Sequence, residues 1–307
     1  MKYDKPSLSF EQQADLLIRR GMVGDRALII ERLRAVGYYR LSAYWYPFRR
    51  ANPAKPSLPF DDLIPGTTFD EVWCRYAFDR RLRLAVMDAI ERIEVSLRAL
   101  LATHHSQRHG LFAYATDSRS LPSIDSGKFA KYREDIIKEQ ARSKDPFVRH
   151  FNEKYGDSHS VLPLWMAAEV MAFGTLLTFH RGCDQDIRRE VARPFGVHET
   201  VFASWLLALN TVRNICAHHG RLWNRDLGIK PKIPDKLSEW NTPVAVTGDR
   251  VFGILTICKW SLDRVAPQSG WSDRFRALLA TSPTIPIVSM GFPANWQECP
   301  IWKCGAK

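Results

Sequence analysis

Several things are scarce in this 307-residue chain, and each scarcity removes a class of function. No glycine cluster has the spacing that cradles a phosphate, which argues against nucleotide-cofactor and kinase-like chemistry. No run alternates apolar and polar residues as half-buried strands do, and no segment repeats at a fixed period. The cysteines number 6 and lie far apart, at Cys74, Cys183, Cys216, Cys258, Cys299 and Cys304, a pattern of thiols in a reducing compartment rather than a disulfide framework. Cys299 and Cys304 are near neighbours but lack the second close pair of a structural zinc site. The opening MKYDKPSLSF has no apolar core of a secretory signal, so a cytoplasmic protein is expected. VLPLWMAAEVMAFGTLLTF, Val161 to Phe179, is long enough to cross a bilayer, but Glu169 within it and Pro163 near its start favour a buried helix and no membrane partner.

Acid is the last scarcity. Asp and Glu total 33 against 44 Lys and Arg, a formal net charge of +11, so the field of the whole molecule attracts polyanions. Nucleic acid is the commonest such partner. With 45% hydrophobic and 25% charged residues the chain is otherwise an ordinary globular protein, long enough for a sizeable core.

What is present reads as helix nearly throughout, an all-α fold. Ser9 with Gln12 forms a capping box before QQADLLIRRG, closed by Gly21 and Gly24, and a second helix is expected from Asp25 to about Val36. GYYRLSAYWYPFRR follows, in which Tyr39, Trp45 and Phe48 are read first as core, while Tyr39, Arg40 and Arg49 are also candidates to stack on unpaired bases and meet phosphates. Thr68 and Glu71 form a second capping box opening the longest helix, which runs to about His105 with Leu82, Val86, Ala89, Ile93, Leu97 and Leu100 as its core stripe. Asp88 with Arg92, and Glu94 with Arg98, are four apart and read as surface pairs, Glu94 lying nearer the apolar edge. From His109 to His159 the chain turns polar, with one helix near Gly127 to Arg142, and is expected to be mobile or to form a lid. Helices are expected again over Leu164 to Thr178, Val251 to Arg264 and Trp271 to Ala280, before an irregular tail that Trp296 and Trp302 pack across the body. Three parts follow: 1–60, an N-terminal helical region; 61–265, the main helical domain; 266–307, a short helix and irregular C-terminal segment.

The chemistry concentrates in RNICAHHGRLWNR, Arg213 to Arg225, directly after the apolar run SWLLALNTV. On a wheel at about 100° per residue, Phe202, Trp205, Leu209, Val212 and Cys216 share one face toward the core. His218 falls opposite it, with Asn214 one turn behind on the same side; Arg213 and His219 lie on the two margins. Arg221 would join the outward side if the helix persists that far. Gly220 is placed as the residue just past the helix end, which puts both imidazoles in a last turn whose dipole favours cations. An outward histidine needs no explanation as a core group, so His218 is the stronger functional candidate, and His219 is left between structural and functional readings.

Arg213, Asn214 and His218 match the pattern of HEPN ribonucleases, in which an Arg and a His four to six residues apart lie near a helix end. The fuller RNICAHHGRLWNR resembles the motif of AbiD/AbiF-like abortive infection proteins of the HEPN superfamily. GYYRLSAYWYPFRR, YAFDRRLRLAVMDAIERIEVSLR, PLWMAAEVMAFGTL, MGFPANW and PIW resemble the same family in the same order. The resemblance implies a HEPN-like helical bundle in the 61–265 region and metal-free RNA cleavage, with no cofactor and no metal. The substrate's 2′-hydroxyl attacks the adjacent phosphate, His218 transfers the proton, Arg213 stabilises charge and Asn214 orients the imidazole or a phosphate oxygen. The ends would be a 2′,3′-cyclic phosphate and a 5′-hydroxyl, and His219 and Arg221 would bind neighbouring phosphates. Because Arg213 and His218 are about 140° apart on a straight helix, the resemblance also implies a homodimer whose motif helices face each other and share a groove. The alternative is a catalytically silent module of the same fold that binds RNA, for instance a small regulatory RNA. A metal-dependent hydrolase using Cys216, His218 and His219 has little support, since three ligands so close on one helix end cannot converge.

Overall fold

A computed structural model describes residues 6–303, so Cys304 lies outside the described residues. Among them are thirteen α-helices and no strand. The fold is all-α. The chain divides into two compact units, one formed by Met1–Arg83 with Arg276–Pro286, the other by Leu84–Phe275 with Ile287–Lys307.

The first unit opens with α1 (Phe10–Arg19), started by the expected capping box, in which Gln12 N–H donates to Ser9 Oγ at 3.2 Å and Ser9 N–H to Gln12 Oε1 at 2.8 Å. Asp25 caps α2 (Arg26–Val36), and α3 (Tyr38–Trp45) follows directly after Gly37, whose φ of 88° lets the chain turn. Ala14, Leu17, Ile29, Leu33, Leu41, Tyr44, Trp45, Phe69 and Val72 form its core. Tyr39 is not part of it. At 91% exposed it is a surface aromatic, because it opens the first turn of α3 on the face opposite Leu41, Tyr44 and Trp45. Phe48 is half-buried. A buried polar cluster sits beside this core: Tyr44 Oη donates to Asp79 Oδ2 at 2.6 Å and Arg83 pairs with the same carboxylate.

The long helix α4 (Phe69–His109) begins at the expected Thr68–Glu71 capping box. Its 41 residues rise ~60 Å and run past the expected end near His105 to His109, belonging to the second unit from Leu84 onward. There Leu97, Ile93, Ala89 and Val86 are fully buried, as the stripe predicted. Asp88 does more than pair with Arg92, since its other oxygen accepts from Arg274 Nη2 at 2.6 Å on α13 (Trp271–Ala280).

Glu94 and Arg98 are not a surface pair. Their side chains are 15% and 12% exposed, and Arg98 also donates to the carbonyls of Ala168 and, at 2.8 Å, Met171. Those carbonyls end α8 (Leu164–Val170), and the expected single helix over Leu164–Thr178 is broken there. The next helix, α9 (Phe173–Gly182), is started by a distant acid: Glu139 accepts from Ala172 N–H at 3.1 Å and from Thr175 Oγ1 at 2.7 Å. A cation thus closes one helix and an anion opens the next, each at the favourable end of the dipole.

The polar stretch after His109 is packed helix rather than open loop. It holds α5 (Ala113–Thr116), α6 (Ser126–Arg142) and the unforeseen α7 (Pro146–Tyr155), and it buries Tyr114, Leu121, Tyr132, Ile136 and Val148. Short α10 (Gln185–Ala192) leads to α11 (Glu199–Ala217), and α12 (Val251–Val265) is buried on all sides from Val251 to Leu262. The tail packs as expected: Trp302 is fully buried and donates from Nε1 to Thr256 Oγ1 at 2.9 Å. Of the cysteines, Cys183, Cys216, Cys258 and Cys299 are buried and Cys74 is exposed, none in a disulfide. Among the described residues no helix is long and apolar enough to cross a membrane.

Candidate active site

The site is built by α11 and the turn that ends it. The helix buries Phe202, Trp205, Leu206, Leu209, Val212 and Cys216, the face read from the sequence. Trp205 fixes the helix further by donating from Nε1 to the Lys232 carbonyl at 2.8 Å. At its start His198 caps through Nδ1, which accepts from Thr200 N–H at 3.3 Å.

The helix stops one residue earlier than the placement of Gly220 just past its end assumed. Ala217 is its last residue, His218 is the cap (φ −86°, ψ 14°), and His219, not Gly220, takes the left-handed conformation, with φ 58°. The N–H of His219 donates to the Cys216 carbonyl at 3.0 Å and that of Gly220 to the Ile215 carbonyl at 2.8 Å, while His218 N–H still reaches Asn214 at 3.0 Å. This is a Schellman turn, which satisfies the carbonyls a helix end would leave bare. Gly220 has its own reason to be glycine, because a Cβ there would sit 3.1 Å from Ile215 Cγ2 and 3.2 Å from the Ile215 carbonyl oxygen. Arg221 therefore lies beyond the helix, half-buried in the exit strand of the turn.

Two anchors hold that exit. Leu222 and Trp223 are 0% and 1% exposed, so the chain dives into the core two residues after Gly220. Sequence reasoning missed this role for them, although an apolar pair directly after a helix-end glycine is a readable signal of a pinned turn. Further on, Leu227 N–H donates to the Asp249 carbonyl at 2.9 Å and Asp226 pairs with Arg250 at 3.0 Å.

Between these fixed points the polar side chains face outward. Asn214, His218 and His219 are exposed, and Arg213 is half-buried with Nη1 donating to Asn214 Oδ1 at 3.4 Å. Arg213, Asn214, His218, His219 and Arg221 are thus gathered within one helix end. Tyr39, Arg40 and Arg49 belong to the other unit. There Arg40 is exposed and Arg49 is half-buried, paired with Asp61 at 3.2 Å and lying 5.4 Å from the centre of the Tyr46 ring.

Cys216 faces the core while His218 and His219 face solvent, so these three cannot surround one ion. Among the described residues no group of three or more His, Cys, Asp or Glu side chains is placed to hold a metal. Two further histidines are buried in this unit. His105 is driven down to about 4 by burial and by the neighbouring His109, and His180 to about 4 by burial and by Arg188 and Arg181. Both are buried groups held neutral.

The family model of Abi-like proteins matches residues 31–224, more than half of the chain and including the whole of the motif to Asn224. No curated protein and no solved structure matches the chain. The chain belongs to the Abi-like family, a membership that points to a role in abortive infection.

Proposed function

We propose that this member of the Abi-like family is a metal-independent endoribonuclease that acts in abortive infection. The observation that carries the reading is the placement of half-buried Arg213 with exposed Asn214 and His218 at one capped helix end, flanked in sequence by buried Cys216, Leu222 and Trp223. RNA needs no nucleophile from the protein, because its own 2′-hydroxyl attacks the neighbouring phosphate. What it requires is proton transfer and stabilisation of the negative charge that develops on the phosphoryl oxygens. His218 transfers a proton, the Arg213 guanidinium meets the phosphoryl oxygens, and Asn214, already in contact with Arg213, sets the direction of that guanidinium. The products are a 2′,3′-cyclic phosphate and a 5′-hydroxyl. The net charge of +11 speeds encounter with RNA.

The resemblance to HEPN ribonucleases supports a homodimer in which two such helix ends share a groove, with the exposed Asn214 and His218 turned toward the partner. Sedimentation at micromolar concentration is expected to give a dimer, and a monomer there would remove this part of the reading.

Incubation of the purified protein with mixed RNA in EDTA, beside His218→Ala and Arg213→Ala, tests the activity. Cleavage by the wild type and its loss in both variants are expected. Binding without cleavage in every protein would leave a silent RNA-binding module, and cleavage abolished by EDTA would make the enzyme metal-dependent.

A further inference from the structure

We infer that His219 is the second proton-transfer group of the same site, working opposite His218; this rests on the ribonuclease reading above. The reaction moves two protons. As the 2′-oxygen forms its bond to phosphorus, the hydroxyl proton passes to one imidazole; as the bond from phosphorus to the 5′-oxygen breaks, that oxygen takes a proton from the other. Nothing is oxidised or reduced, and the two imidazoles end with exchanged protonation states. Arg213 cannot share this work, because a guanidinium stays protonated, and the Asn214 amide does not titrate.

The backbone singles out His219. Among the described residues it is the one non-glycine residue with positive φ, at 58°. It stands where a Schellman turn favours glycine, because most side chains are strained in that conformation. A glycine is available next door, yet Gly220 is held to its own position by the close approach of Ile215. Burial does not offset the strain, for the imidazole is exposed. Such conformations persist when the surroundings over-determine them and concentrate at functional sites. The surroundings here do so, through the three helix-end hydrogen bonds on one side and buried Leu222 and Trp223 on the other.

The same bonds remove the backbone from the reaction. The N–H groups of His218, His219 and Gly220 all donate to helix carbonyls, so a phosphate at this helix end is met by side chains alone. Two imidazoles on consecutive Cα atoms, ~3.8 Å apart, separated by a reversal of the chain, are suited to approach one phosphate from two directions.

Three variants at one position separate backbone from chemistry. Asparagine and glycine accept the left-handed conformation and alanine does not, so His219→Asn and His219→Gly should melt at or above the wild-type temperature and His219→Ala below it. With an RNA that the wild type cleaves, His219→Asn and His219→Gly should lower kcat about a hundredfold with little change in KM. Their rate against pH should lose one of its two limbs. Either variant cleaving at the wild-type rate with the wild-type pH profile would overturn the assignment. A wild type that cleaves no RNA would instead overturn the ribonuclease reading itself, an outcome that the His219 variants cannot produce.

Discussion

The Gly220 N–H donates to the Ile215 carbonyl at 2.8 Å, and a Cβ on that glycine would press on the same carbonyl oxygen at 3.2 Å. That relationship fixes where the motif helix stops, and with it the backbone from which both exposed histidines project. Gly220→Ala is therefore expected to cost about 1 kcal/mol and to lower RNA cleavage. Denaturant unfolding read beside single-turnover cleavage checks this. An alanine variant that is as stable and as active as the wild type would show that the turn has slack.

A second expectation concerns Arg98, which closes α8 and pairs with Glu94. Its removal leaves an acid that is 15% exposed without its cation and the Ala168 and Met171 carbonyls without a donor. Arg98→Met should destabilise by about 2–4 kcal/mol, whereas Glu94→Gln, which keeps an acceptor for Arg98, should cost nearer 1 kcal/mol. Equal losses in urea unfolding would contradict the asymmetry.

Acid should unfold the protein through its buried histidines. His105 and His180 take up a proton near 6.5 in the unfolded chain but only at about 4 in the fold. The unfolded state then binds more protons between those values, so stability is complete above pH 6.5 and falls as pH drops toward 4, by something of order 3 kcal/mol for each group. Urea midpoints at pH ~7.5 and ~4.5 measure the difference. His180→Leu should flatten part of it, and an unchanged slope in that variant would assign the acid sensitivity elsewhere.

The sequence reading succeeded wherever the cause of a structure is local. The capping boxes at Ser9–Gln12 and Thr68–Glu71 start their helices because each motif contains both of its hydrogen-bonding partners within four residues. The apolar face of α11 followed from periodicity alone, and Phe202, Trp205, Val212 and Cys216 are buried on it. It failed where the cause lies far along the chain. Nothing near Met171 announces a helix break; Arg98 and Glu139 make it from 73 and 33 residues away. For Glu94 and Arg98 only the nearness of Glu94 to the apolar edge hinted at burial, because the carbonyls that draw Arg98 inward belong to another helix. At the candidate site the residue types and their outward direction were legible. The exchange of roles between His219 and Gly220 was not, since it depends on the packing of Ile215 against the glycine and on Leu222 and Trp223 pulling the exit chain inward.

The central claim is that the RNA cuts itself with its 2′-hydroxyl while His218 moves the proton. The direct measurement uses a short RNA with one cleavage position, made with either a 2′-hydroxyl or a 2′-deoxy sugar there, incubated with wild type and His218→Ala in EDTA, with the end groups identified. Cleavage of the 2′-hydroxyl substrate alone, by the wild type alone, leaving a 2′,3′-cyclic phosphate and a 5′-hydroxyl, is the expected result. Cutting of the 2′-deoxy substrate, or a 5′-phosphate on the product, would contradict it.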